Sequence, residues 1–280
     1  MKKLIIAATI ATVAAAAHAD VTLGGKMQYD LTKGATSTSG ISASEIVVTS
    51  KEDLGGGKSI TARMGIDGAG RNETLSGTNA TLTLATKAGD VMVGQIKLAN
   101  GIVGNGLGGA PVMSADADDG IVLGGAVNKD IIKYTTPSIG GFKAAVGSTR
   151  SVDATGARGL SYSLTGKVAG LNTLVDYNDT SKRVRASASA KVGPLTVGAG
   201  VSRNETDKAD SSVFGASIPV GANLTVGAAR SSGNGTANEV GVRYAFSKST
   251  AVQVAYRDVT GNSTAAKNVS TTQVRLSHAF

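Results

Sequence analysis

Residues 183–192 read RVRASASAKV, and the two alternating sets of side chains have opposite character. Arg183, Arg185, Ser187, Ser189 and Lys191 are charged or polar, while Val184, Ala186, Ala188, Ala190 and Val192 are apolar. Side chains alternate across a β-strand, so this stretch presents one wet face and one greasy face. Residues 160–168, 239–246 and 271–280 repeat the pattern, and no helical 3.6-residue stripe occurs beyond the first nineteen residues. A chain written this way folds into sheet whose two surfaces meet different surroundings.

Sixteen such segments are predicted, near 21–31, 43–52, 58–68, 79–87, 91–98, 130–136, 142–149, 159–168, 171–179, 182–192, 195–203, 211–218, 223–230, 239–246, 250–258 and 269–280. The breaks between them alternate in kind. Asp53-Leu54-Gly55-Gly56-Gly57, Ala88-Gly89-Asp90, Ala169-Gly170 and Gly193-Pro194 are tight turns; the intervening breaks are longer and rich in Ser, Thr, Asn and Asp. Glycine supplies 38 of the 280 residues, about double the usual ~7%, as many short strands with tight turns require. Both a soluble sandwich and a membrane barrel alternate with period two. The full charges on the polar faces decide between them, because a dry core cannot absorb unpaired charge. Closure also satisfies every backbone group in lipid. The fold class expected is all-β, a transmembrane antiparallel β-barrel of 16 strands with a long third loop, 99–129, folded into the pore. Sixteen strands leave an aqueous channel where eight would be filled by their own side chains.

The start of the chain reads as an export signal. Lys2 and Lys3 precede an apolar or small run, and Ala17-His18-Ala19 is the small-x-small pattern that signal peptidase cuts. Two regions follow: a signal peptide, 1–19, and a barrel domain, 20–280.

Composition removes several chemistries. With no cysteine there is no disulfide, thiolate nucleophile or cysteine metal site. Beyond the signal only His278 remains, and by phase it points outward, so neither catalytic residues nor a metal site is expected, and no cofactor. The formal charge of +8 comes without an arginine cluster interleaved with aromatics, so nucleic acid is not an expected partner. Gly104-Asn105-Gly106-Leu107-Gly108-Gly109 matches G-x-G-x-x-G, but no helix pattern follows, as a dinucleotide fold needs. These glycines suit a loop that folds tightly inside a barrel.

By phase, fourteen basic residues face the lumen, among them Lys26, Arg63, Lys97, Lys133, Arg185, Arg243 and Arg275, against five acids, Asp30, Glu45, Asp67, Asp176 and Glu239. Low-dielectric walls focus such a field, and rings of Lys and Arg favour anions. Asp116 and Asp118 on the third loop would face that basic wall across a constriction, or lie solvated on the outer surface.

Several segments resemble the Gram-negative general porin family, especially its neisserial and β-proteobacterial branch. They are the opening Val21-Thr22-Leu23-Gly24, the turn Glu52-Asp53-Leu54-Gly55-Gly56-Gly57, Lys133-Tyr134-Thr135-Thr136-Pro137 with Gly140-Gly141-Phe142, and the terminal Leu276-Ser277-His278-Ala279-Phe280. The resemblance implies a homotrimer in the outer membrane, its third loop narrowing the pore, with Lys26, Arg63, Arg243 and Arg275 opposite Asp116 and Asp118. The function expected is passive diffusion of small hydrophilic solutes and ions, weakly anion-selective. A substrate-selective channel for small anions and a non-conducting structural or adhesive barrel are the alternatives. The family usually has arginine where Glu45 stands, which weakens that one carry-over.

Overall fold

The computed structural model describes residues 19–68, 76–98, 101–113, 127–151, 158–206, 208–261 and 269–280. The sixteen strands begin with β1 (Asp20–Lys33), β2 (Ser37–Gly55), β3 (Lys58–Asp67), β4 (Ser76–Thr86), β5 (Gly89–Leu98), β6 (Val127–Thr135), β7 (Phe142–Ser151) and β8 (Gly159–Val168). They continue as β9 (Leu171–Asn178), β10 (Arg183–Val192), β11 (Leu195–Asn204), β12 (Asp210–Val220), β13 (Leu224–Ser232), β14 (Thr236–Ala245), β15 (Thr250–Thr260) and β16 (Val269–Ala279). Each pairs antiparallel with its neighbours in sequence, and β1 pairs with β16, so the sheet closes on itself. The expected count and order of strands stand.

Turn chemistry explains one end of the barrel. Ala169 (φ 49°) and Gly170 (φ 80°) both lie in the left-handed region between the paired residues Val168 and Leu171. Two positive angles make a type I′ turn, whose twist matches that of the flanking strands. At the closure, Gly25 and Phe280 exchange backbone hydrogen bonds of 2.9 and 3.1 Å. A Cβ on Gly25 would meet the Phe280 ring at 2.5 Å, so the aromatic lies over the space the glycine leaves.

The register fixes which face is which. Residues directly opposite share a face, so Arg185 groups with Asp176 and Ser202, and Val184 with Tyr177 and Arg203. The exposed large apolar side chains of the strands, including Leu23, Met64, Leu82, Leu164, Val201, Phe214 and Val240, all take the outward phase. Tyr244 and Phe246 meet edge to face at 5.2 Å near the tight-turn end, on the same outer surface. The buried apolar core lies inside the barrel, where Leu107, Ala110 and Val112 pack on Val213 and Ala229 of the wall.

An outward mid-strand arginine therefore meets hydrocarbon. Val240→Arg, at a site 54% exposed on β14, is expected to destabilise the barrel by ~2–4 kcal/mol, the cost near a bilayer midplane. Thr83→Arg, in the inward phase of β4, is expected to be nearly neutral. Urea unfolding in liposomes measures both; equal costs would reverse the assignment of faces.

Candidate functional site

Of the third loop, the described part begins with a short helix, α1 (Gly101–Gly106), and continues to residue 113. Asn105 donates its side-chain amide to Ser187 Oγ at 3.2 Å, and Ser217 Oγ donates to the Gly108 carbonyl at 2.6 Å. Gln253 on β15 reaches the Val112 carbonyl at 3.5 Å. Residues 105–112 thus run round the inside of the wall from β10 to β15.

A trough in that wall receives them. Gly198, Gly215, Gly227 and Gly241 take inward positions on four consecutive strands, the first two directly opposite each other and the last two likewise. A Cβ at Gly198 would stand 1.9 Å from the Asn105 carbonyl oxygen, and one at Gly241 would stand 1.8 Å from that of Pro111. The chain approaches the wall backbone to backbone, as only glycine permits. The expected inward third loop is found over these residues. The helix holds the first three residues of the G-x-G-x-x-G run instead of following it, and the rest of the run lies on the wall.

On the far side of this segment a cavity of about 420 Å³ is lined by Gln28, Thr225, Arg243, Gln253, Arg275 and Ser277 together with Leu107, Gly109, Ala110 and Pro111. The structure brings Arg243 and Arg275 together here. Lys26 (β1) and Arg63 (β3) also take the inward phase, so the four occupy a continuous arc that crosses the closure from β14 to β3. Lys133 is inward on β6 and Arg185 inward on β10, away from that arc. Asp116 and Asp118 lie outside the described residues.

Not all of these cations carry free charge. Arg275 makes a two-pronged pair with Asp30, Nε to Oδ1 at 2.7 Å and Nη2 to Oδ2 at 2.6 Å, and Gln273 adds a 3.2 Å hydrogen bond to the same carboxylate. Arg185 holds Asp176 in the same way, at 2.7 and 2.8 Å. Arg257 approaches Glu239 at 3.9 Å. Three of the five expected lumen acids are therefore matched by an arginine. Among the described residues, Lys26, Arg63, Lys133 and Arg243 make no ion pair.

The side chain of Lys97, expected to face the lumen, lies outside the described residues. His278 is outward as expected, and its Nδ1 lies 2.8 Å from Thr250 Oγ1.

A closed antiparallel barrel with an apolar exterior, a charged interior and a segment laid against its inner wall is a membrane pore. The chain belongs to the Gram-negative porin family, whose model matches residues 6–279. It is an outer-membrane diffusion channel, and its family and fold are those of a channel. No curated relative matches the chain in sequence. Among solved structures it is similar to a loop-deletion mutant of OmpT, an outer membrane protein of Vibrio cholerae, with a TM-score of 0.74 at 12% identity, covering 94% of this chain and 99% of that one. It is similar also to a mutant of the Rhodopseudomonas blastica porin (TM-score 0.74, 15% identity, 93% and 100% covered). A third is an anion-selective porin from Comamonas acidovorans (TM-score 0.66, 18% identity, 94% and 100% covered).

Proposed function

We propose that this porin passes small hydrophilic solutes and ions with a weak preference for anions. One observation carries the reading: the inward acids Asp30, Asp176 and Glu239 are taken up by arginines, and the inward groups left without an ion pair among the described residues are mainly basic. Lys26, Lys51, Arg63, Lys133, Lys143, Lys167, Lys191 and Arg243 outweigh Asp20, Glu45, Asp67 and Asp90. A wall of low dielectric focuses that excess on the water it encloses. In this reading Lys26, Arg63, Arg243 and Arg275 form one side of the narrowest passage, with Lys133 and Arg185 further round the wall.

The same reading makes 1–19 a cleaved signal peptide and the working assembly a homotrimer, since a trimer form is described for the similar OmpT of Vibrio cholerae. The turn 52–57 and the terminal strand favour the neisserial and β-proteobacterial branch.

Reversal potentials across a KCl gradient test the preference. The wild-type pore is expected to favour chloride, and Arg243→Gln to move the reversal potential toward zero. A wild-type preference for potassium would overturn the proposal. Cross-linking in detergent is expected to give a trimer.

A further inference from the structure

The charge left over in the lumen is not spread evenly along the axis. The three arginine–carboxylate pairs lie from mid-height to the loop end. At the tight-turn end, Lys143, Lys167 and Lys191 each occupy an inward position one residue from a strand terminus beside a turn. None makes an ion pair among the described residues.

Two of these lysines share a cavity of about 400 Å³, also lined by Asn105, Thr165, Asn172 and Leu174. Lys143 stands opposite Thr165, and Lys167 opposite Asn172, which places the two stems on diagonal positions of adjacent strands. Diagonal neighbours lie ~7–8 Å apart, so both ammonium groups reach one small ligand. Asn172 is steadied by a 3.3 Å hydrogen bond to Ser189 Oγ, and Asn105 by its bond to Ser187. No lining residue carries a carboxylate.

Two point charges with three rotatable donors each, ringed by amides and a hydroxyl, suit an anion with two charges and oxygens on several sides. A carboxylate has one charge in one plane and leaves one lysine unused. We propose that this cavity is a binding station for phosphate-class dianions, reached from the tight-turn end of the pore. The inference rests on the reading of the barrel as a water-filled channel; it does not need the anion preference of the arc around Arg243.

The test is block of single-channel current by inorganic pyrophosphate, using the full refolded barrel inserted in one orientation in a planar bilayer. Pyrophosphate added at the tight-turn side is expected to block the wild-type pore at lower concentration than when added at the loop side. Lys143→Gln with Lys167→Gln is expected to raise the half-blocking concentration by about tenfold, as losing two water-screened charge contacts implies. Lys51→Gln on β2 with Lys129→Gln, in step with Lys133 on the inward face of β6, removes the same charge away from the cavity and is expected to change it by less than about twofold. Equal shifts in the two double variants, or no block of the wild-type current, overturn the station. Glycerol phosphate in place of pyrophosphate shows whether phosphate monoesters share it with inorganic pyrophosphate. A potassium preference alongside intact block would sink the proposed selectivity and leave the station standing.

Discussion

Valines at Gly198 and Gly241 together are expected to lift the inward segment off the wall and raise the single-channel conductance. Each new Cβ would fall within 2 Å of a main-chain oxygen, 1.9 Å from Asn105 and 1.8 Å from Pro111. A backbone atom cannot rotate aside as a side chain can, so the segment must move. What holds it is chiefly the burial of Leu107, Ala110 and Val112 against Val213 and Ala229, with Leu and Val side chains each contributing ~1.5–3 kcal/mol. Overpacking costs ~1–3 kcal/mol per site, so one valine weakens the seat and two cost about as much as it supplies. The strand ladders are untouched, because inward side chains take no part in them. The variant is therefore expected to keep the gel mobility of a folded barrel while conducting more and discriminating less between ions. Gly104→Ala, where a Cβ meets nothing within 4 Å, is the matched control. Wild-type conductance in the double valine variant would show that the segment does not set the width of the passage.

The barrel was legible because its wall is one residue thick between two solvents. Every strand must then show period two, and β8 was predicted at 159–168, as found. Legibility fails where that requirement lapses. β2 extends back to Ser37, six residues before its predicted start, because 37–42 is Ser, Thr, Gly and Ile with no alternation and the β1–β2 register shifts there, at Gln28/Tyr29. α1 has no sequence signal of its own: glycines at 101, 104 and 106 disfavour helix, and contacts with the wall hold its single turn. Among the site residues, Lys26, Arg63, Lys133, Arg185, Arg243 and Arg275 take the inward phase of the register. Their charge state was hidden, since Asp30 and Arg275 are 245 positions apart and meet only because the last strand closes on the first. The glycine trough was equally invisible, for nothing in the residues 198, 215, 227 and 241 marks them as neighbours until the register lines them up.

That closing pair carries the second large effect. Asp30 and Arg275 face each other directly in the β1–β16 register, and their side chains are only 12% and 10% exposed. Removing one partner of such a pair costs ~3–5 kcal/mol in a dry interior, and less beside lumen water, so Asp30→Asn and Arg275→Gln are both expected to lower the temperature at which the folded form is lost. Their effects on permeation should have opposite signs. Asp30→Asn removes one negative charge beside the cavity shared with Arg243 and should strengthen the chloride preference. Arg275→Gln leaves a carboxylate there and should weaken or reverse it. The double variant is neutral and should return the reversal potential close to the wild-type value while remaining less stable. Stability and selectivity thus come apart in one set of three variants. If both single variants moved the reversal potential in the same direction, the shift would report distortion of the seam and not charge at the pore, and Arg275 would be a strut of the closure and nothing more.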